Sequence, residues 1–214
     1  MGTPIRAASV VPAPRAVVFD IGNVLYGWDI RALYAKLIPD PARLEWFCSH
    51  VVTAEWHFQH DRGRPSSETV AELSTQYPAE AGLIAHYVPR WLETITGPVP
   101  GMIELAHELA DAGVPLYGIT NFADEFWHRF RPTAPVFDRF EDIIVSGAEK
   151  LFKPEPEIYR LARRRFSLAA GEGLFVDDRL ENVRAGVAQG FPGHHFTNAA
   201  SLRTRLLAEG LLPR

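Results

Sequence analysis

Ala16-Val17-Val18-Phe19-Asp20-Ile21-Gly22-Asn23-Val24-Leu25 is the stretch whose reading decides the fold. Its first four residues are apolar and the run stops abruptly at an aspartate and a glycine. That is the pattern of a buried parallel strand delivering an acid to its carboxyl end, the edge at which open α/β sheets bind ligands. Three later runs repeat the device: Val114 to Thr120, Asp142 to Ser146, and Gly173 to Asp178, each ending in a polar residue or a carboxylate. Helical segments separate them: Gly101 to Ala112 closed by Gly113, Glu155 to Phe166, and Leu180 to Gln189 closed by Gly190, with glycine where helices end. Strands alternating with helices at this spacing predict an α/β fold, a three-layer, doubly wound, Rossmann-like parallel sheet.

The interval 28–96 differs. It has helical periodicity, many aromatics (Tyr34, Trp46, Phe47, Trp56, Phe58, Tyr77, Tyr87, Trp91) and no convincing strand. Pro39 with Pro41, Gly63 with Pro65, and Pro78 break it into four or five expected helices. The predicted organisation is a flexible lead-in over 1–14, an α/β core over 15–27 and 97–214, and a helical insertion over 28–96, with the aromatics as its packing core.

Composition bounds the function. The 214 residues are 47% hydrophobic and 22% charged, ordinary for a globular chain. The net charge of −4 gives no electrostatic reason to expect nucleic acid or an anionic membrane as partner. Arg163, Arg164 and Arg165 read as a solvated helix face. Cys48 is the only cysteine, which excludes an intrachain disulfide or a cysteine zinc cluster and suits a reducing cytoplasm. No apolar run approaches the roughly 20 residues a membrane span needs, and no secretory signal is evident, so a soluble cytoplasmic protein is expected. Oligomeric state stays open.

Four signals occur in order: Phe19-Asp20-Ile21-Gly22-Asn23-Val24-Leu25, Ile119-Thr120-Asn121, Lys153-Pro154 before a helix, and Phe175-Val176-Asp177-Asp178 with Asn182 beyond. Each has an ordinary reading as a helix cap or lead-in. Together they resemble the ordered motifs of the haloacid dehalogenase-like hydrolase superfamily, from about residue 15 to the last helix. The first motif is similar to the D-x-G-N-V-[IL] variant of a capped branch that includes bacterial sugar-1-phosphate phosphatases, and Glu55-Trp56-His57-Phe58-Gln59-His60-Asp61-Arg62-Gly63 is similar to that branch's cap segment.

The resemblance implies magnesium-dependent hydrolysis of a small phosphate monoester, a sugar phosphate by the nearest branch, through an aspartyl-phosphate on Asp20. It implies a metal held by Asp20, the backbone carbonyl of Gly22 and Asp178, with Asp177 and Asn182 behind them. Thr120, Asn121 through its N–H, and Lys153 would bind the phosphoryl oxygens. Adjacent aspartates ending a buried strand repel, and a metal is the usual remedy.

The sequence departs from the family pattern at Gly22, where most phosphatases of the superfamily carry a second aspartate as general acid and base. Losing such a group costs roughly 100- to 10,000-fold. Asp29, His57 and His60 are candidate replacements. Two alternatives follow: a phosphate- or metabolite-binding module that has lost turnover, and a 2-haloacid dehalogenase, although the tyrosine of D-x-Y-G-T in the first motif is missing. His57, His60 and Asp61 resemble a metal site only superficially.

Overall fold

The computed structural model describes residues 13–213; the lead-in expected over 1–14 lies outside them but for its last two residues. Five parallel strands form the central sheet in the order β5-β4-β1-β6-β7: β1 (Ala16–Phe19), β4 (Leu116–Thr120), β5 (Asp142–Val145), β6 (Gly173–Asp177) and β7 (Gly193–His195). β1 lies in the middle, with Val18 opposite Tyr117 of β4 and Phe175 of β6. Its four residues have no solvent exposure, and this is why the sequence there is apolar without alternation.

Successive side chains of β1 still serve opposite faces. Val17 and Phe19 join Leu116, Leu174 and Val176 in one apolar cluster, whereas Ala16 and Val18 join Ile119, Ile144 and Phe175 in another. The first face is covered by α6 (Met102–Asp111) and α11 (Ala199–Glu209), through Leu105, Leu109, Leu202 and Leu206; the second is covered by α9 (Pro156–Arg165), through Ile158, Tyr159 and Ala162. The Arg163–Arg165 run occupies the last turn of α9, where cations suit the helix dipole. Arg163 donates to the carbonyls of Leu168 and Gln189, and Arg165 pairs with Asp142 and Glu149. α10 (Leu180–Ala188) follows β6, and the short helices α7 (Asp124–Phe130) and α8 (Ser146–Glu149) follow β4 and β5.

Between β1 and α6 the chain makes a helical insertion: α1 (Ile30–Tyr34), α2 (Pro41–His50), α3 (Ala54–Asp61), α4 (Ser66–Gln76) and α5 (Ala81–Ile84). The starts are written locally. Asp40 and Thr53 accept hydrogen bonds from the backbone N–H groups of Arg43 and Trp56, and Pro41 opens α2. Two strands flank this insertion that its periodicity does not predict, β2 (Tyr26–Trp28) and β3 (Ile95–Pro98), paired antiparallel. At three and four residues they are too short to alternate legibly. Gly27 fits the close pairing there, because a Cβ would meet Thr96 Oγ1 at 2.2 Å and force that hydroxyl to move. β7 was equally hidden, since it is three partly exposed residues whose only strand signal is the partner β6.

Tyr34, Phe47, Trp56 and Tyr87 are buried, as a packing core requires, while Trp46 is exposed. The apolar cluster of the insertion runs on into α7, where Trp91 stacks on Phe126 at 4.7 Å. His60 is sealed within this region: Nε2 lies 2.6 Å from Thr69 Oγ1 and Nδ1 2.9 Å from the His57 carbonyl. Burial, with a smaller contribution from His57, pushes it from 6.5 down to about 4. Between those two pH values the unfolded chain binds a proton that the native state refuses, so His60 makes stability fall on acidification from 6.5 toward 4, by up to roughly 3 kcal/mol. Heat-denaturation midpoints between pH 7 and 5 should therefore fall more steeply in the wild type than in His60→Gln. Equal slopes would assign the acid sensitivity to other groups.

Candidate active site

Asp20 leaves the end of β1 with its N–H bonded to the Val176 carbonyl at 2.8 Å, which fixes it beside the end of β6. Its side chain is nearly buried, and Oδ1 accepts from the Ile21 N–H at 2.6 Å. Lys153 Nζ lies 2.9 Å from Asp20 Oδ1 and 2.7 Å from Asp177 Oδ2, with no exposure of the lysine side chain. Asn121 clamps the main chain of this lysine: its Oδ1 accepts from Lys153 N–H at 2.9 Å and its Nδ2 donates to the Lys153 carbonyl at 3.0 Å. The second and third motifs are thus joined through an amide acting as a piece of backbone, a role that the sequence does not reveal.

The two aspartates ending β6 differ in environment. Asp177 is fully buried and accepts from Lys153, from Asn182 Nδ2 at 3.0 and 3.1 Å, and from the Arg179 N–H at 2.8 Å. Asp178 is half-buried and lines the cavity. One oxygen from each of Asp20, Asp177 and Asp178 lies within 4.8 Å of the others. Burial raises the pKa of Asp20 well above the usual carboxylate range; Lys153 opposes this, while Asp177 and Asp178 add to it. Asp178 is raised by burial and by Asp177. Burial also disfavours the Lys153 charge, but Asp177 and Asp20 outweigh it and hold the lysine above its ordinary value.

Counting three carboxylates against one ammonium, the ionised cluster carries an excess charge of 1 − 3 = −2. A hard divalent cation matches both this deficit and the oxygen donors. Asp20 and Asp178 both line the cavity, and so does Gly22, whose carbonyl the family resemblance puts in the ligand set. Thr120, at the end of β4, is buried with its Oγ1 unpartnered, an orphan hydroxyl of the kind that awaits a ligand oxygen. It is not itself among the cavity-lining residues.

Asn23 holds the loop after Asp20. It takes a left-handed φ of 57°, which asparagine tolerates, and its Oδ1 accepts from the Trp28 N–H at 3.1 Å. A Cβ at Gly22 would meet nothing within 4 Å, so the missing second aspartate is not excluded by space.

The cavity above these groups measures about 130 Å³. His57 and Asp61 of α3 line it, as do Trp28, Phe58 and Trp91, so Phe58 and Trp91, two of the aromatics expected as packing core, face the cavity. His57 Nδ1 is 2.6 Å from Tyr87 Oη, and Nε2 is 3.3 Å from Asp61 Oδ1. The second contact is close enough for attraction but not aligned as a hydrogen bond, since Asp61 Oδ1 has no such partner.

Two expected replacements for the missing acid lie off the cavity. Asp29 is exposed, spends its carboxylate on the Arg31 N–H as the N-cap of α1, and does not line the cavity. His60 is bonded to Thr69 and also lies off the cavity. Of the three, His57 alone is a lining residue. Asp61, Trp28 and Arg179 also line it, and no local signal in the sequence singles them out for that place.

Comparison with known proteins agrees with this geometry. Residues 14–190 match the model of the haloacid dehalogenase-like hydrolases. The sesquiterpene phosphatase astK of Aspergillus oryzae is 29% identical over 86% of this chain and 91% of its own. A glyceraldehyde 3-phosphate phosphatase of Pyrococcus abyssi is 32% identical over 47% of this chain and 41% of its own. A family enzyme of Bacteroides thetaiotaomicron, solved as a complex with magnesium and inorganic phosphate, superimposes with a TM-score of 0.66 at 20% identity, covering 87% of this chain and 96% of that one. With its acids gathered at one sheet edge and the family match spanning most of its length, the chain belongs to the haloacid dehalogenase-like hydrolases.

Proposed function

We propose that the protein hydrolyses phosphate monoesters with magnesium as cofactor and Asp20 as nucleophile. The observation that carries this reading is the cluster itself: a buried aspartate at the cavity floor, touching a buried lysine and facing Asp178, with two positive charges still wanted. Magnesium would be held by Asp20, the Gly22 carbonyl and Asp178, and when bound it supplies the positive charge that lets two anions approach. Asp177, tied by Asn182 and the Arg179 N–H, is a positioning residue that keeps Lys153 in place. Lys153, the unpartnered Thr120 Oγ1 and the Asn121 N–H bind phosphoryl oxygens. An Asp20 oxygen attacks phosphorus, the bond to the alcohol oxygen breaks, and that oxygen takes up a proton. Water then cleaves the aspartyl-phosphate to inorganic phosphate and free Asp20.

Two of the relatives are phosphatases by name, and the magnesium and phosphate of the Bacteroides complex support the same chemistry. Their names span an apolar substrate and a polar one, so the sugar phosphate of the nearest branch does not follow from them. Among the described residues no helix is long and apolar enough to cross a membrane. Cys48 is buried, and burial pushes its thiol up to about 11, an inert group in keeping with a reducing cytoplasm.

We assign the proton donor to His57, with Asp61 beside it. An alkyl phosphate needs that proton and an aryl phosphate needs it far less. His57→Gln should lower kcat for an alkyl phosphate about 100-fold and for p-nitrophenyl phosphate only a few-fold. Equal losses on both would remove His57 from the role. Adding Gly22→Asp to that variant should restore alkyl phosphate turnover, since a Cβ at this cavity-lining position meets nothing within 4 Å. The specific support for a binding module is Gly22 itself; phosphate binding with no release from any ester, aryl esters included, would favour it.

A further inference from the structure

Building on the reading of Asp20 as the nucleophile toward a phosphate ester, we propose that the group esterified to that phosphate is apolar, a hydrocarbon alcohol rather than a sugar. Beyond the acids, the cavity is walled by Tyr26, Trp28, Phe58, Ile95, Phe122 and Phe130. These come from β2, α3, β3 and the stretch from the end of β4 through α7. They form a continuous surface in part: the Tyr26 ring meets Phe130 edge-on at 5.1 Å, and Phe122 stacks on Phe130 at 5.7 Å.

A buried sugar brings several hydroxyls, and each one left without a partner costs about 1–3 kcal/mol. Away from the phosphate end the polar lining is sparse. Asn23 Oδ1 is spent on the Trp28 N–H and Arg179 is paired with Glu181, which leaves His57 with Asp61 Oδ1 beside it and the unpartnered indole N–H groups of Trp28 and Trp91, too few to meet the several hydroxyls of a sugar. Aromatic walls instead reward hydrocarbon for leaving water. The volume of about 130 Å³ is many times the roughly 10–15 Å³ that a single water requires, room for a phosphate and a hydrocarbon group of moderate size.

The test is kcat/KM with magnesium for n-alkyl phosphates of increasing length, geranyl monophosphate, glucose 1-phosphate and ribose 5-phosphate. Tryptophan-fluorescence titration with geranylphosphonate, which cannot be hydrolysed, runs beside it. Geranyl monophosphate should exceed both sugar phosphates at least tenfold, and the alkyl series should rise about fourfold per methylene until the cavity is filled. Trp28→Ser should flatten that series. Faster turnover of the sugar phosphates would overturn the apolar assignment and leave the hydrolase standing. Quenching by geranylphosphonate without release from any ester would support the apolar site and overturn the hydrolase. Neither quenching nor release would overturn both.

Discussion

Asp20→Asn should abolish phosphate release and leave the chain folded. Removing a nucleophile costs on the order of 10⁶-fold in turnover where the group acts as one unit with its neighbours. Asparagine has the same size, and its carbonyl can still accept from the Ile21 N–H that Asp20 Oδ1 holds at 2.6 Å. Lys153 keeps Asp177 at 2.7 Å as a counter-ion, so no buried charge is stranded. Burial already opposes the Asp20 charge, and the expected stability change is therefore about 1 kcal/mol or less. Phosphate release and heat denaturation measured on the same preparation check both halves. A variant with wild-type activity would refute the nucleophile assignment, and a variant that unfolds would show Asp20 to be a structural member of the ion cluster.

Lys153→Met should do the opposite, damaging stability as much as chemistry. The ammonium is the sole cation shown in contact with Asp20 and Asp177 among the described residues, and it has no solvent to replace it. Removing one member of a buried ion cluster costs roughly 3–5 kcal/mol, because the charges left behind are unpaired. Asp20 would then be forced further toward protonation, and phosphoryl oxygens would lose a charged donor, worth on the order of 100-fold in kcat. The double variant Lys153→Met with Asp177→Asn should recover part of the stability and none of the activity. Urea denaturation of the two variants measures the coupling. An unchanged midpoint in Lys153→Met would mean that Asp20 is already neutral and that the triad is not held by charge.

The contrast between these two neighbours was not visible in the sequence. Asp20 and Lys153 are 133 residues apart in number, from 20 to 153, and both sit in motif positions that read alike as polar residues at element ends. Only the meeting of β1, β6 and the segment before α9 shows that one is a replaceable acid at a cavity floor and the other a buried cation between two acids. Asn121 is similar. Its place after β4 was legible, but its use as a clamp on the Lys153 backbone depends on a loop thirty-two residues away.

The sequence by itself determined the parallel sheet and the buried strand that ends at Asp20, while the meeting of Asp20, Lys153 and Asp178 followed only from the resemblance of the four motifs, and the central place of β1 from the structure. Buried strands demand unbroken apolar runs, and a parallel sheet brings the acid at the end of each run to a common edge. The tertiary structure alone decided what lines the cavity. His57 and His60 lie three residues apart on α3, yet one lines the cavity and the other is bonded to Thr69. Asp29 looked equally available and is consumed as a helix cap. The cavity wall is assembled from elements remote in sequence, including the β2–β3 pair that no periodicity announces. Periodicity reports which side of an element is buried; it does not report whether the buried side meets a packing partner or a cavity, because that depends on the shape of the element packed opposite.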